Sequence, residues 1–322
     1  MKESLNLTPG SERLSQLENL KGKNHLIMTF DSCRFDSAKL ATMPNLSQVA
    51  TLMEAQTLSH YTPAAHTAFF LGHLPTTPNS IPFFDETKMQ PFRITTGPGR
   101  DLGKNCGLLL EGNNIIEGFR KKGFFVLGVG GVSQFSSGSF LREAFQWSKF
   151  TYLGPDMDEE PLKTREPNHF PLNNIDQIVT QLQNQGKWTL FINCPETHYP
   201  YDWGEGIPSE VEAIFPILKK GLNLRCHNLL PEEKSILLEQ ADSMHQMQVD
   251  ALEAMDPKIG GLLNDLQSIS RANDREVFVS VCGDHGENFG EGLDSNQKNG
   301  LFWGHMHPNT QCMNVPLWMA VI

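Results

Sequence analysis

Residues 277–291 read VFVSVCGDHGENFGE, and this stretch indicates the fold class. It opens with a short, mostly apolar run from Val277 to Val281 and continues into polar residues. Such a run, without strict alternation, is typical of a strand buried on both faces of a parallel sheet. Asp284 and His285 follow where this strand is predicted to end, so their side chains are expected at the edge of the sheet.

Similar apolar runs recur upstream and alternate with stretches that are predicted to be helical. The predicted strands are residues 25–30, 124–129, 188–193 and 277–281, and the predicted helices are a segment starting near Pro63 and residues 115–122, 175–185 and 232–268. This alternation predicts an α/β fold with a doubly wound, mostly parallel sheet and helices on both faces. Ligands of such sheets bind beyond the carboxyl ends of the strands, where Asp31, Glu196, His198, Asp284 and His285 fall.

Composition and charge exclude several classes of protein. The formal net charge of -11 argues against a general nucleic-acid binder, but a bound cation still permits an anionic substrate. No run approaches the ~20 apolar residues that span a bilayer, and the first 24 residues are too polar for a signal peptide. We therefore predict a cytoplasmic protein with a polar segment at 1–24, a single catalytic domain at 25–322 and six reduced cysteines.

Thr62 is the candidate nucleophile. It opens the segment TPAAHTAFFLG, in which Thr62 is predicted to be the helix N-cap, Pro63 the first helical residue and Gly72 the stop. A hydroxyl at the amino end of a helix lies where backbone N–H groups and the helix dipole stabilise an alkoxide or an incoming phosphate. The alternative is that Thr62 only caps the helix.

Asp31, Asp284 and His285 are the candidate metal ligands, with the Thr62 hydroxyl as a fourth. Two carboxylates, one imidazole and a hydroxyl suit one divalent cation, and the nitrogen ligand favours Mn²⁺ or Zn²⁺ over Mg²⁺ or Ca²⁺. Such a metal is expected to lower the pKa of the Thr62 hydroxyl and to polarise the substrate. An Asp-His pair after a strand also occurs for purely structural reasons.

Further candidates follow the strand ends. His198 in ETHYPYDW and His305 in WGHMHP are candidates for holding a phosphoryl oxygen or protonating a leaving group. We assign substrate contact to Arg34, His66, Glu196 and His307, although Arg34 has the alternative of pairing with Asp36.

These segments, in this order, resemble the alkaline phosphatase superfamily and especially its sulfatase-like branch. DSCRFDSAKLATMPNL is similar to the opening metal-ligand segment, TPAAHTAFFLGHLP to the nucleophile helix, QVDALEAMDPKIGGLLNDL to the helix before the last catalytic strand, and VCGDHGENFGE to the motif with the Asp-His ligand pair. ETHYPYDW and WGHMHPNTQCMNVPL resemble two segments that contact substrate. The resemblance implies the fold given above, Asp31, Asp284 and His285 as ligands, Thr62 as nucleophile, and His198 and His305 at the substrate.

Departures from the branch refine this expectation. Sulfatases form formylglycine from Cys or Ser, so Thr62 excludes formylglycine and argues against classical sulfatase activity. A Thr nucleophile resembles that of phosphodiesterases, lipoteichoic acid synthases and phosphoethanolamine transferases. The second-metal pattern of the two-zinc phosphatases is not evident, which favours one metal, and the small C-terminal subdomain of sulfatases is not recognised.

Three functions fit this site. The first is a metal-dependent hydrolase or transferase that acts on a small phosphate (less readily sulfate) ester through a covalent Thr62 intermediate. The second is a metal-dependent phosphomutase, and the third is a non-catalytic descendant that binds an anion or a partner.

Overall fold

A seven-stranded sheet forms the centre of the computed structural model, which describes residues 22–72, 114–155, 165–203, 206–224, 230–291, 303–305 and 308–322. In chain order the strands are β1 (Asn24–Phe30), β2 (Met53–Gln56), β3 (Phe125–Gly130), β4 (Lys149–Tyr152), β5 (Trp188–Cys194), β6 (Val277–Gly283), β7 (Asn288–Phe289), β8 (Trp303–Gly304) and β9 (Asn314–Val321). The order across the large sheet is β2-β9-β6-β1-β5-β3-β4, and β7 pairs with β8 in a separate two-stranded sheet.

The central strand β1 brings the functional strand ends together. It pairs in parallel with β5 on one side and with β6 on the other, so that Phe30 lies beside both Cys194 and Gly283. β9 runs antiparallel to both of its neighbours, β2 and β6, and the remaining pairs of adjacent strands in this sheet are parallel. The predicted doubly wound, mostly parallel sheet is confirmed. Because Asp31 and Asp284 each follow a strand of this parallel pair, both lie at the same edge.

Helices cover both faces of the sheet. In the described part of the chain they are α1 (Phe35–Leu40), α2 (Pro44–Val49), α3 (Thr62–Leu71), α4 (Ile115–Lys121), α5 (Phe140–Glu143), α6 (Ile175–Leu182), α7 (Ser209–Leu224), α8 (Pro231–Glu239), α9 (Ala241–Arg271) and α10 (Thr310–Met313), with short 3-10 turns at Ser133–Phe135, Pro167–His169 and Pro171–Asn173. One apolar cluster joins α1, α2, α6 and α9 to the sheet, and another joins α3, α4 and α5 to its opposite face. Successive residues of a strand point to opposite faces of the sheet and so belong to different clusters. In β5, Leu190 lies in the first cluster and Phe191 in the second.

The long helix α9 anchors the segment that follows β1. The Asp256 carboxylate of α9 accepts hydrogen bonds from the backbone N–H groups of Asn45 and Leu46 at 2.9 Å, and so caps α2. Gly260 of α9 lies so close to Asn45 that an added Cβ would be 2.6 Å from the Asn45 side-chain oxygen.

The prediction of a single helix over residues 232–268 is wrong in one respect, since the helical stretch is divided at Gln240 into α8 and α9.

The remaining sequence predictions concern the N-terminal segment, the division into domains, the cysteines and membrane-spanning helices. The polar segment 1–24 lies almost wholly outside the described residues. The division of the chain into domains stays a prediction. The described cysteines, Cys33, Cys194, Cys282 and Cys312, are free thiols. In the portion of the chain that the structure describes, no helix has both the length and the apolar character needed to cross a bilayer.

Candidate active site

The candidate metal ligands meet at the carboxyl edge of the sheet. Asp31 follows β1, Asp284 and His285 follow β6, and one potential ligand atom from each lies within 4.8 Å of the others. All three side chains are buried. The Thr62 hydroxyl oxygen lies 3.4 Å from Asp31 Oδ1 and 3.2 Å from His285 Nε2. The structure therefore places the predicted nucleophile beside the predicted ligands.

Thr62 does not cap its helix as the sequence suggested. It is the first residue of α3, and the N-cap is Tyr61, which makes no side-chain capping bond. The Thr62 hydroxyl faces Asp31 and His285 instead of the N–H groups of its own helix. Since a capping threonine uses its oxygen to accept from those groups, this orientation leaves the oxygen available for chemistry.

Hydrogen bonds to the backbone fix the orientation of the ligands. The His285 Nδ1–H group donates to the Gly286 carbonyl at 2.9 Å, which leaves a lone pair on Nε2, the nitrogen that faces Thr62. Asp284 Oδ1 accepts from the backbone N–H groups of Ser32 at 3.0 Å and His285 at 2.8 Å. Both ligands are thus held by outer contacts, as is usual around protein metal sites.

A divalent cation fits this group of residues. Asp284 Oδ2 is buried and has no hydrogen-bond partner among the described residues, which is costly unless a ligand binds it. Burial, and then the nearby Asp31 carboxylate, raise the pKa of Asp284 well above its usual range. Burial and the neighbouring His305 hold the pKa of His285 well below its usual range, consistent with a neutral imidazole ligand. A cation would stabilise the two carboxylates and use the lone pair of His285.

A second group of possible ligands lies next to the first. Its members are His198, Glu287 and His305, whose potential ligand atoms lie within 4.8 Å of one another. The His305 ring centroid is 4.6 Å from that of His285 and 5.6 Å from that of His198. His198 donates from Nδ1 to the Tyr199 carbonyl, so its Nε2 lone pair stays available.

Glu287 is a functional candidate that the sequence prediction did not assign. His305 Nδ1 lies 3.2 Å from Glu287 Oε1. Burial alone would lower the pKa of His305, but the Glu287 carboxylate outweighs it and raises that pKa above its ordinary value. Burial likewise opposes the ionised form of Glu287, yet His305 holds its pKa below the usual range. Each member of the pair therefore favours the charged form of the other. In the sequence, Glu287 was marked only by its position directly after Gly286.

The predicted substrate residues occupy different environments. The Arg34 guanidinium donates to Asp36, from Nε to Oδ1 at 2.7 Å, and also pairs with Glu291. Pairing with Asp36, the alternative noted from the sequence, is what the structure shows. Glu196 is 1% exposed, its carboxylate has no hydrogen-bond partner among the described residues, and burial raises its pKa to about 7. Its contact with substrate stays a prediction, and His307 lies outside the described residues.

His66 lies behind Thr62, and its contact with substrate stays a prediction. Its side chain is fully buried, and both ring nitrogens are engaged by protein groups. Nε2 lies 2.9 Å from the Thr29 hydroxyl, and Nδ1 lies 2.9 Å from the Thr62 carbonyl oxygen. Burial lowers the pKa of His66 to about 4, so the ring is neutral.

The fold is similar to those of several solved enzyme structures, although the sequence matches no known protein-family model and no curated protein. The zinc complex of the C-terminal periplasmic domain of EptC from Escherichia coli has a TM-score of 0.56 and 11% identity, over 93% of this chain and 72% of that chain. A phosphonate monoester hydrolase of Agrobacterium radiobacter has a TM-score of 0.56 and 13% identity, over 92% and 68%. A putative sulfatase from Bacteroides thetaiotaomicron has a TM-score of 0.58 and 13% identity, over 93% and 64%.

These neighbours define the class of the fold. All belong to the alkaline phosphatase and sulfatase-like superfamily, and this chain has their α/β fold. The resemblance recognised from the sequence motifs is thereby confirmed at the level of the fold.

Proposed function

We propose that the chain is a metal-dependent hydrolase or transferase that acts on phosphate esters, and less readily on sulfate esters, through a covalent intermediate on Thr62. The observation that carries the proposal is the position of the Thr62 hydroxyl. It is turned away from its helix and lies within 3.4 Å of both Asp31 and His285. Asp284 Oδ2, which accepts no hydrogen bond from the described residues and has two histidine nitrogens 3.6 Å away, lies in the same group of ligands and supports a cation there.

Asp31, Thr62, Asp284 and His285 would hold the divalent cation, with Mn²⁺ or Zn²⁺ favoured by the imidazole and Mg²⁺ or Ca²⁺ as alternatives. When bound, the cation supplies Lewis-acid stabilisation of the negative charge that develops during transfer. The zinc complex of the structurally similar E. coli domain is consistent with this assignment.

The first chemical step would form a bond between Thr62 Oγ1 and phosphorus while the bond from phosphorus to the leaving oxygen breaks. The Thr62 hydroxyl gives up its proton to solvent. The amino end of α3 presents its partial positive charge to the transferring group. His305, whose protonated form is favoured by Glu287, would donate a proton to the leaving oxygen, and His198 would hold a phosphoryl oxygen.

The second step would form a bond from phosphorus to the oxygen of water or of an acceptor alcohol and break the bond to Thr62. Water gives a hydrolase and an alcohol gives a transferase.

The threonine at position 62 also argues against sulfate esters as substrates, since the formylglycine that sulfatases use arises from Cys or Ser and not from Thr. We therefore expect phosphate esters to be the better substrates.

A panel of aryl phosphate monoesters, phosphodiesters and sulfate esters, assayed with Mn²⁺, Zn²⁺, Mg²⁺ and Ca²⁺, tests the proposal. Thr62→Ala and Asp284→Ala should each abolish turnover of the best substrate while circular dichroism stays unchanged. Losing one electrostatic element of this kind costs on the order of 100- to 1000-fold in rate, and losing the nucleophile costs more. Mass spectrometry of quenched enzyme should find phosphate on Thr62.

Thr67→Ala is the matched control, because Thr67 lies on the same helix and its hydroxyl donates to the Pro63 carbonyl instead of facing the site. It should retain turnover. Wild-type turnover by purified Thr62→Ala would rule out the covalent route.

The group formed by His198, Glu287 and His305 favours a second candidate function. A phosphomutase of this superfamily normally uses two metals, and this group could hold a second cation beside the first. Two metals per chain, together with retention of labelled phosphate within a phosphorylated sugar, would favour the mutase.

A purified chain with neither metal nor turnover would favour the non-catalytic descendant. The cytoplasmic location stays a proposal that cell fractionation would test.

A further inference from the structure

The helix that carries Thr62 begins without a side-chain cap of its own. Tyr61 at the N-cap makes no capping bond, and the Thr62 hydroxyl is committed to Asp31 and His285. Uncapped first turns leave backbone N–H groups unsatisfied and are less firmly held. Some other contact must therefore fix Thr62 if its oxygen is to keep its place beside the ligands.

His66, one turn along α3, makes that contact. Its ring lies between the Thr62 carbonyl on the helix and the Thr29 hydroxyl on the central strand β1, each at 2.9 Å from a ring nitrogen. Thr29 Oγ1 in turn lies 3.3 Å from the Asn193 side-chain amide, which donates to it from β5. A buried polar chain thus runs from two strands of the sheet, through His66, to the backbone of Thr62.

The tautomer of His66 follows from these partners. A carbonyl oxygen only accepts hydrogen bonds, so the nitrogen that faces Thr62, Nδ1, must carry the proton. Nε2 is then an acceptor, and the Thr29 hydroxyl donates to it while accepting from Asn193. His66 Nδ1 also lies 3.6 Å from Asp284 Oδ2. With Nδ1 facing these two acceptors and Nε2 facing the Thr29 hydroxyl, a single orientation of the ring is favoured.

Aromatic side chains hold the ring in this orientation. The His66 centroid lies 5.1 Å from that of Phe135 at an interplanar angle of 89°, and 5.6 Å from that of Phe191 at 85°. Phe69 and Phe70 pack against the ring at 5.8 and 6.0 Å. The ring is fully buried and has no contact with solvent.

From this geometry we infer that His66 is a positioning residue, which fixes the first turn of α3 to β1 and so holds Thr62 Oγ1 against Asp31 and His285. The inference rests on the proposed function of Thr62. It assigns His66 no contact with the substrate and no proton transfer.

His66→Leu tests the inference, since leucine has a similar volume and no hydrogen-bonding group. It should lower kcat by roughly 10- to 100-fold, the penalty expected for a nucleophile displaced by about 1 Å. The KM should stay within about threefold, because the residues proposed to bind the substrate are untouched. His66→Asn, whose side-chain amide can take the place of Nδ1–H and donate to the Thr62 carbonyl, should recover most of kcat.

Two further variants separate positioning from simple packing. Thr29→Val removes the hydroxyl that donates to Nε2, and should lower kcat in the same direction as His66→Leu. The double variant should lose less than the product of the two single effects, because both changes break one chain. Phe145→Leu is the control: Phe145 is buried in the same apolar cluster and packs on Phe70 instead of on the His66 ring, so the change should lower thermal stability and leave kcat nearly unchanged.

A measurement independent of turnover keeps this test separate from that of the proposed function. In ¹⁵N-labelled protein, the His66 resonances, assigned by their loss in His66→Leu, should show a protonated Nδ1 and an unprotonated Nε2, and Thr29→Val should shift the Nε2 resonance. The opposite tautomer, or folded His66→Leu with wild-type kcat, would overturn the inference. If the wild-type protein turns over no ester, the proposed function fails, and the resonances still decide whether the contact exists.

Discussion

Replacing Gly286 with alanine is expected to disable the proposed metal site although no proposed ligand is itself substituted. Gly286 directly follows His285, its carbonyl accepts from His285 Nδ1, and its N–H group donates to the Cys312 carbonyl at 2.8 Å. An alanine Cβ at this position would lie only 1.9 Å from the backbone oxygen of Gln311. Since ordinary van der Waals contact begins near 3.4 Å, the two backbones must separate by about 1.5 Å.

The separation would move His285 or the segment that supports it. A displacement of about 1 Å at a catalytic group can cost on the order of 100-fold in rate, and overpacking of this kind costs about 1–3 kcal/mol in stability. We expect kcat to fall by roughly that factor and the metal affinity, measured by equilibrium dialysis, to fall at least tenfold. Gly118→Ala is the control, because nothing lies within 4 Å of its added Cβ. Folded Gly286→Ala with unchanged metal affinity and kcat would refute this reasoning.

Two further predictions concern stability. In Gly261→Ala on α9, the added Cβ meets nothing within 4 Å, so the change should raise the free energy of unfolding by about 0.5–1 kcal/mol. In Gly260→Ala the added Cβ meets Asn45, so the change should lower the free energy of unfolding. Urea titration of both variants measures this contrast, and equal effects would contradict the prediction. Burial, and then Arg275, lower the pKa of His25 to about 4, so between pH 6.5 and 4 the unfolded chain binds a proton that the folded chain does not. The free energy of unfolding should therefore fall as the pH drops through this window, with a contribution from His25 of at most about 3 kcal/mol. His25→Phe should show a shallower pH dependence, and an identical one would count against the assignment.

The strands and the ligand group were predictable because they depend on local signals. Apolar runs that stop at polar residues mark strand ends, and parallel strands place those ends at one edge of the sheet. Asp31, Asp284 and His285 therefore had to lie close together once the fold class was right. The antiparallel direction of β9 was not predicted, because it is set by pairing with β6 and β2 and not by the residues of β9 itself.

The roles of His66 and Glu287 could not be derived from the sequence for a different reason. The segment TPAAHTAFFL is buried on nearly all sides, so its periodicity does not indicate which side faces the ligands and which faces the sheet. The charge of Glu287 depends on His305, which is distant in sequence and reaches it only in the folded chain. Both roles depend on side-chain direction, which a hydrophobic pattern does not specify.

The pairing of β1 with β5 and β6 also governs when the pocket can form. The hydrogen bond from the Ser32 N–H group to Asp284 joins residues 252 positions apart, and closing so long a loop is slow because its entropic cost precedes its gains. No early folding intermediate that lacks β6 can present Asp31 and Asp284 together. A cation would thus bind only once folding is complete. At 100 times its dissociation constant, the cation would raise the free energy of unfolding of the native state by about 2.7 kcal/mol.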